Sequence, residues 1–238
     1  MSQVLVIIPT YNESDNIKAI IDSLLSLELA CDLLIVDDNS PDGTADIVRT
    51  FSHNSDKVHL LLRDKKQGIG KAYQDGFFWA LNKEYLFVFQ MDADFSHNPK
   101  EIPKMYNLLV NKCDVVVGSR YAKGISVVNW PLGRIILSLF ASMYVRSLLD
   151  LKVKDPTSGF VGYKKEVLSH LAIREIKFVG YTYQIEMKYR SHLKGFSILE
   201  HPIIFINREY GKSKMNYKII REAIFGVPYL RLYKSKFK

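Results

Sequence analysis

The chain has 238 residues, 47% hydrophobic and 24% charged, which fits a globular protein and excludes a disordered polymer. Its net charge is +8, and the segment 205–238 alone holds nine Lys/Arg against two Asp/Glu. The basic excess therefore sits in the tail, where it suits nucleic acid, an anionic membrane or a phosphorylated ligand equally. Cys31 and Cys113 are far apart with no metal-ligand spacing, which predicts two core thiols in a reducing compartment. No basic region precedes the first apolar run, so no secretory signal is expected. The longest uncharged run of the second half, 135–145, is shorter than the ~20 residues of a spanning helix, so no transmembrane helix is expected.

Residues 4–8 are continuously apolar and β-branched, the pattern of a strand buried on both faces. Ile17, Ile20, Ile21, Leu24 and Leu25 then recur at helical spacing behind Ser14, a residue suited to the N-cap. Residues 33–36 predict a second buried strand, 46–51 a helix, 58–62 a third strand, and 68–81 a loop and helix. A fourth strand at 85–90 is followed by a helix over 99–109, whose prolines fall early enough to be tolerated, and by a fifth strand at 115–118. Beyond Tyr121 come an apolar stretch over 125–151 broken by Arg134 and Arg146, strands at 160–163 and 197–207, and a helix at 181–193. Alternating strands and helices predict one α/β domain over 1–238, with a mostly parallel central sheet, helices on both faces and an amphipathic C-terminal extension over 215–238. The polar segments fall at strand C-termini, where open α/β sheets bind ligands.

Asp92-Ala93-Asp94 closes the fourth strand. Two carboxylates one residue apart repel unless a cation lies between them, and a hard divalent ion takes such oxygens together with substrate phosphates. The same pair also serves as solvated caps for the next helix. Asp37-Asp38 closes the second strand and the string PTYNE follows the first, so three strand ends offer polar groups to one rim. Asp38 could accept from a base or ribose hydroxyl, and Tyr11 could stack on a base. A phosphoacceptor receiver domain also pairs aspartates at a strand end, but needs neither the second acidic pair nor the basic tail. Gly68-Ile69-Gly70 precedes a helix without the full dinucleotide fingerprint. Arg120 ends the fifth strand; it either pairs with Asp92 or Asp94 or takes a phosphate. Arg134 and Ser138 lie one helical turn apart. Arg208 and Lys214 flank a short polar loop.

These strings together resemble the family-2 glycosyltransferases, and within them the dolichol-phosphate (polyprenol-phosphate) mannose synthases. The matching strings are PTYNE at 9–13, VDDNSPDGT at 36–44, KKQGIGKAY at 65–73, MDADFSHNP at 91–99, GSRY at 118–121, DPTSGF at 155–160, GYTYQIEM at 180–187 and REYGKSK at 208–214. Any one is weak; eight in order across nearly the whole chain are strong. The resemblance implies a GT-A (Rossmann-like) fold. It implies that Pro9, Tyr11, Glu13, Val36 and Asp38 hold the nucleotide. Asp92, Ala93 and Asp94 would meet the diphosphate, with Asp94 the leading and Asp92 the second ligand of Mg2+ or Mn2+. Arg120, Arg208 and Lys214 would clamp the donor phosphates, while Arg120, Arg134 and Ser138 would take the acceptor phosphate. Asp92, Asp94 and Arg120 are thereby the expected catalytic residues, and 155–158 would shape the sugar end. Asn39 stands where the family usually has Gly, Ser96 where some relatives have a metal-binding Gln, and Val161-Gly162 where an Arg is common.

The implied reaction is inverting transfer of mannose from GDP-mannose to a polyprenyl (dolichyl- or undecaprenyl-type) phosphate. A UDP-sugar-dependent hexosyl transfer and a nucleotide-sugar-binding module without turnover are the alternatives. A phosphate monoester has a second pKa of about 6, so the acceptor is already a nucleophile and needs no general base. The acceptor tail lies in a bilayer, so 125–151 and the tail are expected to face acceptor and membrane. This places the enzyme peripherally on the cytoplasmic face, alone or tethered by a small membrane partner, with no role for nucleic acid.

Overall fold

The computed structural model describes residues 2–207 and 217–237, with the backbone alone over 217–220. A seven-stranded sheet runs in the order β3 (Val58–Leu62), β2 (Asp32–Asp37), β1 (Val4–Thr10), β4 (Phe87–Gln90), β7 (Val161–Lys164), β5 (Val115–Ser119), β8 (Ile198–Pro202). Every neighbouring pair is parallel except those made by β7, which runs antiparallel to β4 and β5. A small parallel pair, β6 (Val127–Val128) and β9 (Phe205–Ile206), stands apart. The helices are α1 (Ser14–Leu25), α2 (Thr44–Asn54), α3 (Ile69–Leu81), α4 (Ile102–Asn111), α5 (Leu132–Leu149), α6 (Lys165–His170), α7 (Tyr181–Leu193) and α8 (Tyr217–Leu232).

Strand β1 shows why the sheet is covered twice. Successive side chains point to opposite faces. Leu5 and Ile7 join one core with Tyr73 and Phe77 of α3, Tyr183 of α7 and Val227 of α8. Val4, Val6 and Ile8 join another with Ile17, Ile20, Ile21 and Leu24 of α1 and Met105 and Leu109 of α4. A strand buried on both faces has no polar position to spare, which accounts for its unbroken apolar run.

Helix α1 starts at Ser14, so Glu13 rather than Ser14 occupies the cap position. The Ser14 amide donates to Asp42 Oδ2 at 3.0 Å, a partner from the next loop that replaces a local cap. Helix α5 is longer than the uncharged run, because it takes in both bounding arginines. By length and composition it is apolar enough to cross a membrane, with a mean hydropathy of 1.4 and 17% of it buried. It rests on the domain through Ser142, Val145 and Leu149 and on α8 through the Tyr144 hydroxyl, which donates to the Ile224 carbonyl at 2.9 Å. Its apolar side faces outward: Leu132, Phe140 and Met143 are 71%, 64% and 60% exposed, and Phe225 on α8 is 70% exposed. Both cysteines are buried, and burial, with Asp32 beside Cys31 and Asp114 beside Cys113, raises their thiol pKa values to about 11.

Gly162 lies in β7, between β4 and β5. A Cβ there would sit 2.5 Å from Phe89 Cε1 and 3.0 Å from Leu109 Cδ1, so no side chain fits at this position in this packing. Gly162→Ala is expected to destabilise the fold by about 1–3 kcal/mol through overpacking. Gly133→Ala, at an open helical site, should be neutral or stabilising by up to about 1 kcal/mol. Urea unfolding of the two variants checks the contrast; equal stabilities would contradict it.

Candidate active site

Strands β1, β2 and β4 are parallel, so their C-terminal ends share one edge and present the segments 9–13, 37–44 and 91–98 together. Asp37 is consumed by structure: its carboxylate accepts from the Thr10 hydroxyl at 2.7 Å, and from the Ser40 amide at 2.8 Å and hydroxyl at 2.6 Å. Asn39 adopts φ +56, the left-handed conformation that Asn tolerates next best to Gly. Asp42 ties this loop to α1 and α2. Partial burial would raise its carboxyl, but hydrogen bonds from Thr44 and Ser14 hold it down to about 2.

Asp38 is buried and paired with Arg63, a residue the sequence reading did not single out. Arg63 also reaches Asp75 (Nε to Oδ2, 2.8 Å) and Gln67 (Nη2 to Oε1, 2.9 Å). Its signal was its place at the end of β3, the strand-end position that marks the other rim residues. The Tyr11 ring carries the Lys66 ammonium 3.9 Å from its centroid, a cation–π contact over the face assigned to base stacking. Val36 is fully buried in the core, so its side chain cannot meet a ligand there. Pro9 pairs with Val36 in the sheet register. Glu13 accepts from the Asn16 amide at 3.1 Å, and its own backbone N–H donates to the Thr44 hydroxyl at 3.0 Å.

The acidic loop turns sharply after Asp94, where Phe95 takes φ +58, a costly conformation for an aromatic residue and typical of functional loops. Asp94 is 9% exposed and accepts from the Ser96 amide at 3.1 Å. Asp92 accepts from the Tyr73 hydroxyl at 3.3 Å. Its backbone N–H donates to His97 Nδ1 at 3.2 Å, and His97 stacks on Phe160 at 5.0 Å. Burial keeps the His97 imidazole pKa below its usual value, despite the neighbouring aspartates. Ser96 is itself buried. Among the described residues no group of three His, Cys, Asp or Glu side chains could hold a metal. Asp92 and Asp94 still fit Mg2+ or Mn2+, hard ions held by one or two carboxylates that draw their remaining ligands from water and phosphates.

Arg120 pairs with neither of these aspartates, as the sequence had allowed, but with Asp155. Its Nε and Nη2 donate to the two Asp155 oxygens at 2.7 and 2.6 Å, its backbone N–H adds a third bond at 3.0 Å, and Nη2 also reaches the Thr157 hydroxyl at 2.8 Å. Burial would raise the Asp155 carboxyl, yet the guanidinium and its hydrogen bonds bring it below the usual range. The Asp155–Gly159 loop is held from all sides. The Glu200 carboxylate accepts from the Lys154 and Asp155 amides at 2.8 and 3.0 Å. The Ser158 hydroxyl donates to the Gly118 carbonyl at 2.6 Å, and Gln90 Nε2 donates to Gly159 O at 3.0 Å. Lys188, fully buried on α7, donates to the carbonyls of Ser158 and Gln184 at 2.8 and 3.2 Å. Burial lowers the Lys188 pKa to about 7; Arg120 lowers it too, while Asp155 and Glu200 pull it back up.

Arg120, Arg134 and Ser138 are brought together by two aromatic residues that the sequence reading passed over for this role. The Trp130 ring lies 3.9 Å from the Arg134 guanidinium carbon and 5.4 Å from that of Arg120. The Tyr121 hydroxyl donates to Ser138 Oγ at 2.7 Å, and the Tyr121 ring lies 5.3 Å from the Arg120 guanidinium. Ala93 is buried beside Asp92 and Asp94. Arg208 and Lys214 lie outside the described residues.

The mainly parallel sheet with one antiparallel strand is a GT-A-like fold, matching those of solved glycosyltransferases. The chain belongs to glycosyl transferase family 2, whose model matches residues 5–172, and it is accordingly a glycosyltransferase. It is 41% identical over 224 residues to the polyprenol monophosphomannose synthase of Mycolicibacterium smegmatis, covering 94% of this chain and 84% of that one. It is 40% identical over 225 residues to the undecaprenyl-phosphate mannosyltransferase of Micrococcus luteus, covering 94% and 92%. Among solved structures it superposes on glucosyl-3-phosphoglycerate synthase from Mycobacterium tuberculosis, in complex with Mn2+, UDP-glucose and phosphoglyceric acid, with a TM-score of 0.69 at 18% identity, over 96% of this chain and 79% of that one. A Pyrobaculum calidifontis mannosyltransferase in complex with GDP-Man and Mn2+ gives 0.60 at 16% identity, over 99% and 64%.

Two stability experiments follow from the buried charges. Asp155→Ala strands Arg120 without its carboxylate and should cost about 3–5 kcal/mol, whereas replacing both partners by apolar residues should recover much of that loss. Denaturant unfolding of the single and double variants tests it. For Lys188 the folded pKa of about 7 lies below the ordinary 10.5, so between these values the unfolded chain binds a proton that the folded chain has released. Wild-type stability, taken relative to Lys188→Met, should therefore rise with pH across that window. An identical difference at about pH 6.5 and about pH 9.5 would mean that Lys188 titrates normally.

Proposed function

We propose that this enzyme transfers mannose, with inversion, from GDP-mannose to the phosphate of a membrane polyprenol, giving polyprenyl phosphate mannose and GDP. The observation that carries the reading is that the two-carboxylate loop at 92–94 and Arg120, gathered with Arg134 on one aromatic ring, follow β4 and β5 at the same edge of the sheet. One side suits a metal-bound diphosphate and the other a second anion. The names of the two relatives at about 40% identity agree with it.

In the reaction an oxygen of the acceptor phosphate attacks the anomeric carbon, and the bond from that carbon to the β-phosphate oxygen breaks with its electron pair leaving on GDP. No proton moves, because a phosphate monoester is largely dianionic at neutral pH. Asp92 and Asp94 would hold Mg2+ or Mn2+, which supplies Lewis-acid stabilisation of the departing diphosphate. Asp38, fixed by Arg63, together with Pro9, Tyr11, Glu13 and the end of β2 at Val36, would hold the nucleoside. Arg120, Arg208 and Lys214 would offset the donor phosphates, and Arg120, Arg134 and Ser138 the acceptor phosphate. Bringing two anions together is the main electrostatic obstacle, and preorganised cations in a dry site lower it.

The chain acts, on this reading, as a single catalytic unit peripheral to the cytoplasmic face of a membrane. The outward apolar residues of α5 and α8, next to Arg221, Arg231, Lys234 and Lys236, have the composition of an interfacial surface. A small membrane partner would reinforce that contact.

The first test is incubation of the purified protein with a short polyprenyl phosphate, Mg2+ or Mn2+, and labelled GDP-mannose or UDP-glucose. Metal-dependent transfer from GDP-mannose is expected; transfer from UDP-glucose alone would replace the donor. Asp94→Asn should cut kcat at least about a hundredfold, on the scale of losing several kcal/mol of charge stabilisation. Near-normal turnover in that variant would remove the metal from the account.

A further inference from the structure

Trp130 precedes α5 in a tight approach, with Asn129 at φ +61 and Pro131 at the helix cap. Its indole is held in three contacts: the Arg134 guanidinium at 3.9 Å, the Arg120 guanidinium at 5.4 Å, and the Phe205 ring edge-on at 5.4 Å. Its Nε1 is buried and has no hydrogen-bond partner among the described residues. A buried, unpaired N–H costs free energy, and each such group in a native protein calls for an explanation. An indole nitrogen only donates, so what satisfies it is an acceptor. With two guanidiniums, also donor-only, against the same ring, an anionic acceptor is the group that suits this N–H best. Arg120 already gives Nε and Nη2 to Asp155 and Thr157, while its Nη1 makes no hydrogen bond to the described residues. Arg134 donates from Nη1 to Asn207 at 3.2 Å.

We propose that Trp130 is a phosphate ligand of the acceptor site: its indole N–H donates to an oxygen of the polyprenyl phosphate, and its π face sets the two arginines on either side of that oxygen. The inference rests on the acceptor reading above and adds a residue to it. The ring spreads its negative face over two cations that would otherwise repel, which preorganises them without a carboxylate that would compete with the substrate. An acceptor without the phosphate gains nothing from this arrangement, so Trp130 discriminates a phosphorylated prenol from a free one.

The chain has two tryptophans, Trp79 and Trp130, so its indole 1H–15N spectrum holds two signals, assigned with Trp79→Phe. Farnesyl phosphate is the probe and farnesol the control. The Trp130 signal should move downfield with saturation by farnesyl phosphate and stay in place with farnesol, while the Trp79 signal stays in place with both. Trp130→Phe keeps an aromatic face for the arginines and loses only the donor. It should raise KM for farnesyl phosphate about tenfold to a hundredfold, the scale of a hydrogen bond to a charged group, with KM for GDP-mannose unchanged as proof of folding. Trp130→Ala should lower kcat as well, because the arginines lose their template. A Trp130 signal unmoved by farnesyl phosphate at concentrations that saturate mannosyl transfer would overturn the inference and leave the functional reading intact. Failure of the wild type to mannosylate farnesyl phosphate or any longer polyprenyl phosphate would overturn both.

Discussion

Arg120 and Asp155, both nearly out of water, are the interaction on which the candidate site depends. Three hydrogen bonds join them across 35 positions of sequence, and neither group is tolerable at that depth without the other. The pair joins the end of β5 to the loop that feeds β7, and that loop brings a second ring of partners: Glu200 from β8, Gln90 from β4, Lys188 from α7. Removing one member leaves buried polar groups unpaired in several elements at once. Such networks are costly to half-satisfy and rigid when complete. The rigidity is what a site needs if it must hold two like-charged substrates in register.

The antiparallel strand β7 makes this possible. A wholly parallel sheet would place every strand-end loop on one edge and leave no short route back through the middle. By running against β4 and β5, β7 begins where its neighbours end, so the 155–159 loop enters the same edge as the acidic 91–98 loop. Gly162 is the sequence's concession to that insertion, because Phe89 and Leu109 fill the space a side chain would take. Gly162, one of the two residues standing where an Arg is common in the family, thus answers to packing.

Much of the fold was legible because strands buried on both faces write themselves as unbroken apolar runs and helices as a 3–4 spacing. Leu5/Ile7 against Val4/Val6/Ile8 and Ile17, Ile20, Ile21, Leu24 are of this kind. The rim was legible for the same reason: polar residues directly after such a run, as at Asp38 and Asp92, have only a strand end to occupy. What stayed hidden depends on contacts distant in sequence. Nothing local marks Arg63 as the partner of Asp38, Asp155 as that of Arg120, or Lys188 as the donor to Ser158. The direction of β7 is not written in its composition. The Ser14 cap failed because Asp42, from another loop, reached the helix end first. Helix α5 falls inside the apolar stretch 125–151 and includes Arg134 and Ser138 one turn apart, but nothing local shows that Arg134 turns onto Trp130 and Asn207.

The distribution of charge is more informative than its sum. The +8 excess lies mostly in the tail, but the strand-end rim carries carboxylates and arginines together, some neutralised in pairs and some held on aromatic rings. A fully salt-bridged arginine binds an incoming phosphate weakly, since the phosphate must displace its carboxylate. An arginine held only by other cations would not stay in place. Arg120 lies between these limits, anchored by Asp155 through two nitrogens and facing the Tyr121, Trp130 and Phe205 rings at 5.3–5.6 Å. Aromatic faces stabilise a guanidinium without taking up its hydrogen-bond donors, so the cation is fixed in space and still able to bind. On the proposed reading, that combination lets one arginine serve a site where both reactants are anions and no general base is required.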